Sequence, residues 1–361
     1  MSIFSSILSG ALLLALILIF IKPLITALGS TGAETTEYAY GYLKYIAIGG
    51  PMIVTSITAS NLVRGEGGAK ESMVGMMIGT VTNIILDPVM ILTMKMGVAG
   101  AAIATVIGNV ASVVYYAIYL MKGNSILSCN PKRFAVNDGI FKNVVSIGIP
   151  AAVNNILMSL SNIIMNNFMK EYGEAAVAAL GIAMKVNMLI VFVQMGIGMG
   201  IQPLIGYSYG AKNIKRLKGV IKFTILCTVI FGSVLTLLYF LFTDNIINIF
   251  NGEHDPAVTE YGVTILRGLM VAGPFIGIMF TFNFAFQGMG KPIPTLILSL
   301  GRQGLIFLPL LIVMNKFVGF DGIVYAQPTA DLVCVVLAFL MFLIIVKQQK
   351  KKDMISEKTS E

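Results

Sequence analysis

Charge is what this sequence has least of. Asp, Glu, Lys and Arg together make up 12% of its 361 residues, against 57% hydrophobic residues. A soluble domain carries about 25% charged residues, so most of this chain is not built to face water. Histidine occurs once, as His254 in a polar loop, and the three cysteines, Cys129, Cys227 and Cys334, are scattered. An odd, dispersed set of this kind makes no disulfide framework and no metal-ligand cluster. The glycine-rich stretches GEGGAKE (65–71) and GMGKP (288–292) lack the ordered Gly-Lys-Ser/Thr of a phosphate loop. No ATP site and no metal site are expected. Residues 3–27 lack the basic start and small-residue cleavage site of a signal peptide.

What the chain has instead is a series of apolar stretches of 18 residues or more, the signature of a polytopic membrane protein. They do not alternate every second residue, so they read as helices rather than barrel strands. Ten spans are expected, near 3–27, 42–62, 73–93, 98–121, 140–169, 175–204, 217–243, 261–287, 293–315 and 321–346. Seventeen lysines and arginines fall in one alternate set of connections and the C-terminal tail, and three (Lys95, Lys170 and Lys316) in the other set. Basic connections stay inside the cell, which places the C-terminus in the cytoplasm of a cell with these spans in its plasma membrane. The net charge of +8 is therefore a matter of topology, and nucleic acid is not an expected partner. The basic tail 347–361 is expected to be a solvated end near anionic lipid.

The sequence also repeats. GVAGAAIA (97–104) aligns with GFDGIVYA (319–326), and an offset of 222 residues, within one or so, places Pro51 on Pro274. The same offset sets GEG (65–67) on GMG (288–290), Pro88 near Pro309 and Lys44 on Arg267. A repeat this long is that of a duplicated transporter half. It divides the chain into a four-helix bundle (1–128), a loop (129–139) and a six-helix bundle (140–346). On this count two helices that would precede Met1 are absent, and they or a second copy of the chain are expected to complete the first bundle.

NLVRGEGGAKESMVGMMIGTVTNIILDPVMI (61–91) with GVAGAAIATVI (97–107) resembles the first half of multidrug and toxic compound extrusion transporters. GIGMGIQPLIGYSYGAKNIKRLKGVIK (196–222) with FQGMGKPIPTLILSLGRQGLIFLPLLIV (286–313) resembles the second half. The likeness runs over essentially the whole chain and looks most like the bacterial MepA-like branch. The resemblance implies an all-α fold of two parallel-repeat bundles that export organic cationic drugs or dyes by alternating access. It also implies energy from a proton or sodium gradient, and no cofactor. The alternatives are a lipid-linked saccharide flippase of the related superfamily and an inactive truncated transporter. A membrane-embedded enzyme is a third class, without a nucleophile or metal constellation to support it.

Four groups of polar residues interrupt the spans. Asp87 lies beside Pro88 in the third span, where a carboxylate costs about 2.5–3.5 kcal/mol at the bilayer centre. Pro88 removes one backbone donor and frees the carbonyl of Ile84. Asn83, four residues earlier, shares the face of Asp87. Asp87 reads either as a carboxylate that exchanges a proton for a cation or as a helix-packing hydrogen bond; an acidic site at this motif is what the resemblance implies. Asp331, three residues after Pro328, lies at the same depth as Arg302, so an ion pair is expected, with a second coupling carboxylate as the other reading. In the fifth span Asn155, Ser159, Asn162 and Asn166 form one helical stripe, and Asn187, Gln194 and Gln202 follow a similar face in the sixth. Each stripe lines a cavity or joins helices. Where some sodium-dependent relatives carry an acid, the fifth span has Asn and Ser, which leans the coupling ion towards protons. Lys185 lies within the sixth span, where it either snorkels or pairs with an acid, and Lys44 and Arg267 are expected to snorkel at the outer interface.

Overall fold

The computed structural model describes residues 2–27, 33–122, 125, 140–252 and 255–358. Cys129, His254 and the connecting loop 129–139 lie outside them. Every regular element among the described residues is a helix, because backbone groups in lipid must be satisfied within their own segment.

The chain divides into two compact units, Met1–Asp138 and Gly139–Glu361. The first contains α1 (Ser2–Ile19), α2 (Ile21–Ala27), α3 (Ala33–Gly65), α4 (Ala69–Pro88), a π-helical turn (Val89–Thr93) and α5 (Gly97–Met121). The second contains α6 (Ile140–Lys170), α7 (Glu174–Gly210), α8 (Ile214–Phe250), α9 (Pro256–Met270), α10 (Gly273–Gly288), α11 (Pro292–Leu300), a π-helical turn (Gly301–Leu305), α12 (Phe307–Val318) and α13 (Phe320–Lys358). Each of the ten expected spans corresponds to one of these helices or to a broken helix. Among the described residues seven helices are long and apolar enough to cross a membrane, and α9 with α10 makes an eighth, bent by 47°.

The breaks are where the structure departs from uniform spans. At the α9–α10 bend the N–H groups of Val271 and Ala272 donate three residues back, to Gly268 O and Leu269 O, at 3.3 and 3.2 Å. Pro274 then opens α10, where its missing donor costs nothing. Its repeat partner Pro51 sits inside the uninterrupted α3. There α1 crosses so closely that a Cβ on Gly10 would lie 2.5 Å from Pro51 Cα. The last span also differs from expectation: α13 does not stop at 346 but continues through the basic tail to Lys358. Tyr209 at the end of α7 donates to Gln349 Oε1 on that extension at 3.2 Å.

Backbone geometry carries the internal repeat. Gly67 and Gly290 have φ of +98° and +65°, and Gly97 and Gly319 have +54° and +72°. These glycines turn the chain at equivalent helix ends in the two units, in a region that L side chains rarely adopt. The packing beneath them is not repeated. The first unit joins α4 to α3 and α5 through small residues: Gly75 lies against the Tyr116 ring and Gly79 against Ser112 and the Gly108 carbonyl. Ser60 and Ser72 hydroxyls meet at 2.9 Å, and Tyr116 donates to Ser72 O at 2.8 Å. The second unit has larger apolar clusters, one around Leu180, Ile190, Leu266 and Phe307 and one around Phe282, Phe286 and Leu298. Small residues and interhelical hydrogen bonds hold helices together in lipid, where hydrophobic burial between them is worth little.

Candidate functional site

Asp87 is the last residue but one of α4, which ends at Pro88, and the π-helical turn Val89–Thr93 follows at once. A proline and a π turn together redirect the backbone, a combination frequent at functional sites. Asp87 is half-buried. Asn83 Nδ2 donates to Asp87 Oδ1 at 3.2 Å and reaches Thr105 Oγ1 on α5 at 3.5 Å. Thr105 spends its own proton on Ala101 O at 2.9 Å, so its oxygen faces Asn83 as an acceptor. Gly108 brings the two helices close, since a Cβ there would stand 3.2 Å from Asn83 Cβ. The result is a chain of one acid, one amide and one hydroxyl in an apolar helix pair, with one amide donor on the acid. Thr105 was not singled out by sequence; its distance in the chain from Asn83 hides it.

Arg302 and Asp331 form the pair expected of them. Arg302 Nε lies 2.7 Å from Asp331 Oδ1, with side chains 11% and 1% exposed. The π-helical turn Gly301–Leu305 carries Arg302, and its guanidinium stands 5.3 Å from the centroid of the Phe280 ring. Gln327 Nε2 donates to the same Asp331 oxygen at 3.2 Å. Ser161 on α6 donates to Gln303 O, tying that helix to the π turn. Gln327 escaped the sequence reading although a signal existed: it precedes Asp331 by four residues, as Asn83 precedes Asp87. Each unit thus contains an acid with an amide one turn before it, beside a proline (Pro88 or Pro328).

The polar stripe on α6 does not reach a partner helix through the bonds formed by Ser159 and Asn166. Ser159 donates to Asn155 O at 3.2 Å, and Asn166 to Asn162 O at 2.9 Å. Asn155 and Ser159 are exposed, and Asn162 is half-buried. Gln194 is placed otherwise. It is fully buried, and its Nε2 donates to Gly273 O at 2.7 Å, the first carbonyl after the α9–α10 bend. Its Oε1 lies where a Cβ on Gly277 would be and has no hydrogen-bond partner among the described residues. Of the two roles open to Gln194, the structure places it between helices. Lys185 and Lys44 are exposed, and Arg267 pairs with Asp244 at 3.5 Å.

Among the described residues no three His, Cys, Asp or Glu side chains gather as they would for a metal ion. The two sites present carboxylates, amides, a hydroxyl and a guanidinium, groups that form hydrogen bonds and ion pairs.

The family profile MatE matches residues 1–89 and 150–313. The multidrug export protein MepA of Staphylococcus aureus (strain N315) is 30% identical over 360 residues, covering the whole of this chain and 77% of the relative. MepA of Staphylococcus haemolyticus (strain JCSC1435) is 29% identical over 340 residues, covering 94% of this chain and 74% of the relative. Among solved structures, a multidrug resistance MATE family transporter of the MOP superfamily in an outward-facing conformation superposes with a TM-score of 0.91. It is 24% identical, over 97% of this chain and 78% of that one. A MOP superfamily transporter from Pyrococcus furiosus also gives 0.91, at 24% identity over 96% of this chain and 78% of that one. The likeness to these two is one of fold.

Proposed function

The chain belongs to the MatE family of transporters, and on that premise we propose that it exports organic cations, drugs or dyes, in exchange for protons, with Asp87 as the coupling carboxylate. The observation that carries this reading is the half-buried Asp87–Asn83–Thr105 chain between two apolar helices. An ionised Asp87 attracts a cation. A proton taken up by the carboxyl neutralises it, and the cation leaves. When the proton is lost on the opposite face, the site is ready again. Asn83 orients the carboxyl through its amide, and Thr105 holds Asn83 from the neighbouring helix. With its one amide donor, the carboxyl keeps lone pairs free to meet a proton or a cation.

The binding of Arg302 to Asp331 favours cation export over a flippase for lipid-linked saccharides. A pyrophosphate needs uncompensated positive charge. Of the two cations well inside the spans of the second unit, Arg302 already spends its charge on a buried carboxylate, which leaves Lys185 alone.

The test is transport by the protein reconstituted in vesicles, with an imposed proton gradient and a fluorescent organic cation. Asp87→Asn should abolish gradient-driven dye movement while protein yield and melting temperature stay close to the parent. Undiminished proton-driven flux in that variant would remove Asp87 from the coupling role. Flux that follows a sodium gradient instead would reassign the ion.

A further inference from the structure

The first turns of α8 carry more positive charge than the helix favours. Lys212 precedes it, and Lys215, Arg216, Lys218 and Lys222 follow within Ile214–Lys222. Cations there oppose the helix macrodipole, whose positive end is the N-terminus. The helix start is stabilised by other means: Asn213 Oδ1 accepts from Arg216 N at 2.9 Å. Arg216 itself turns its guanidinium over the Tyr207 ring, 5.4 Å from the centroid. Lys215, Lys218 and Lys222 are exposed, and none forms an ion pair with a described residue. Their spacing of three and then four residues sets them on one stripe.

That stripe continues into a recess of about 490 Å³ lined by Gly219, Lys222, Phe223, Ile225, Leu226 and Val229. Gly219 opens it, for a Cβ there would meet nothing within 4 Å. Phe223 and Leu226 are 68% and 56% exposed, so the recess is apolar and uncovered below its lysine. The 37 residues of α8 amount to roughly 55 Å of helix, well beyond the ~30 Å of a hydrocarbon core. That excess length lets the basic first turns sit in the headgroup layer, where lysines meet anionic lipid, with the apolar recess further along the helix towards the acyl chains.

We propose that α8 binds an anionic glycerophospholipid, with one acyl chain in the recess beside Gly219 and the phosphate against Lys215, Lys218 and Lys222. Three unpaired cations above an apolar slot match that molecule in both charge and order of parts. A zwitterionic phospholipid fits less well, because its own ammonium group would meet the lysines. The comparable recess on the first unit, beside Met73, Met76 and Met77, has Arg64 as its one charged lining residue. Arg64 already donates to Asn61 Oδ1. The lysine triad sets the α8 site apart.

The protein contains no tryptophan, which makes the experiment direct. Phe223→Trp introduces the sole indole, and Leu226→Trp supplies a second reporter in case the first impairs folding. The variants are reconstituted in vesicles containing brominated phosphatidylglycerol or brominated phosphatidylcholine at graded mole fractions. Half-maximal quenching is expected at a mole fraction at least threefold lower for the anionic lipid. Changing Lys215, Lys218 and Lys222 together to Gln in the reporter background should erase that preference and leave quenching by phosphatidylcholine as it was. Leu241→Trp, at the other end of α8 where the residue is 66% exposed, should show no preference. Equal quenching by the two lipids at position 223 and at 226 would overturn the proposal. So would an equal preference at position 241, which would make the effect a property of the whole membrane surface.

Discussion

Arg302 and Asp331 face each other at 2.7 Å across a helix crossing whose counterpart in the first unit is built from glycine. An offset of 223 places Gly79 on Arg302, and an offset of 222 places Asn109, next to Gly108, on Asp331. In the first unit a Cβ on Gly108 would stand 2.6 Å from Gly79 O, so the backbones nearly touch. In the second unit an ion pair, an amide and an aromatic ring fill the same crossing. The acid of the first unit sits elsewhere on the helix pair, at Asp87. Duplication preserved the helices and their glycine turns, while the polar groups were redistributed between the two copies.

The buried pair leads to the first prediction. Removing one partner leaves the other charge unpaired in the interior, at a cost of about 3–5 kcal/mol, whereas replacing both with apolar residues of similar size is close to neutral. Arg302→Met and Asp331→Leu should each lower the melting temperature in detergent strongly, and the double variant should recover most of the loss. If the double variant melts as low as the singles, the pair is not what holds this crossing together.

Asp244 and Arg267 make the contrasting case. Their side chains are 65% and 45% exposed, and exposed pairs contribute about 0–1 kcal/mol. Asp244→Asn should leave the melting temperature nearly unchanged under the same conditions. A loss matching that of Asp331→Leu would show that exposure is a poor guide here.

Asn83 and Thr105 bear on transport rather than on stability. A hydrogen bond to a charged group is worth about 1.5–3 kcal/mol, so Asn83→Ala should slow gradient-driven dye flux about tenfold or more. Thr105→Val, which leaves Asp87 and Asn83 in place, should slow it less. Equal loss in both would mean that Thr105 contacts the transported species itself.

Gln194 sits where α7 meets the α9–α10 bend, filling the space left by Gly232 and Gly277. Gly277→Ala would place a methyl on the Gln194 oxygen, and overpacking of this kind costs about 1–3 kcal/mol. Thermal unfolding should show that loss. It should shrink in the Gly277→Ala, Gln194→Ala double variant, where room is restored.

The helices, the two-unit repeat and the spacing of acid, amide and proline are properties of the sequence alone. Lipid leaves the backbone no alternative to internal hydrogen bonds, so a run of apolar residues settles its own conformation. The glycines of GEG, GMG, GVAG and GFDG settle their turns, because only they adopt positive φ without strain. The pairing of Arg302 with Asp331 could also be read from equal depth on neighbouring helices. Gln194 and Gln202, however, look alike along one helix, and only packing shows that Gln194 is sealed against Gly273. Thr105 and Phe280 are invisible as partners until α4 meets α5 and α10 meets the π turn. The bend before Pro274 and the unbroken helix at Pro51 are decided in the same way. One proline opens a new helix after a tight turn; the other is held within a helix by α1 packed against it. Sequence specifies which backbone groups can bond locally, but which side chains meet across helices depends on distances that only the folded chain sets.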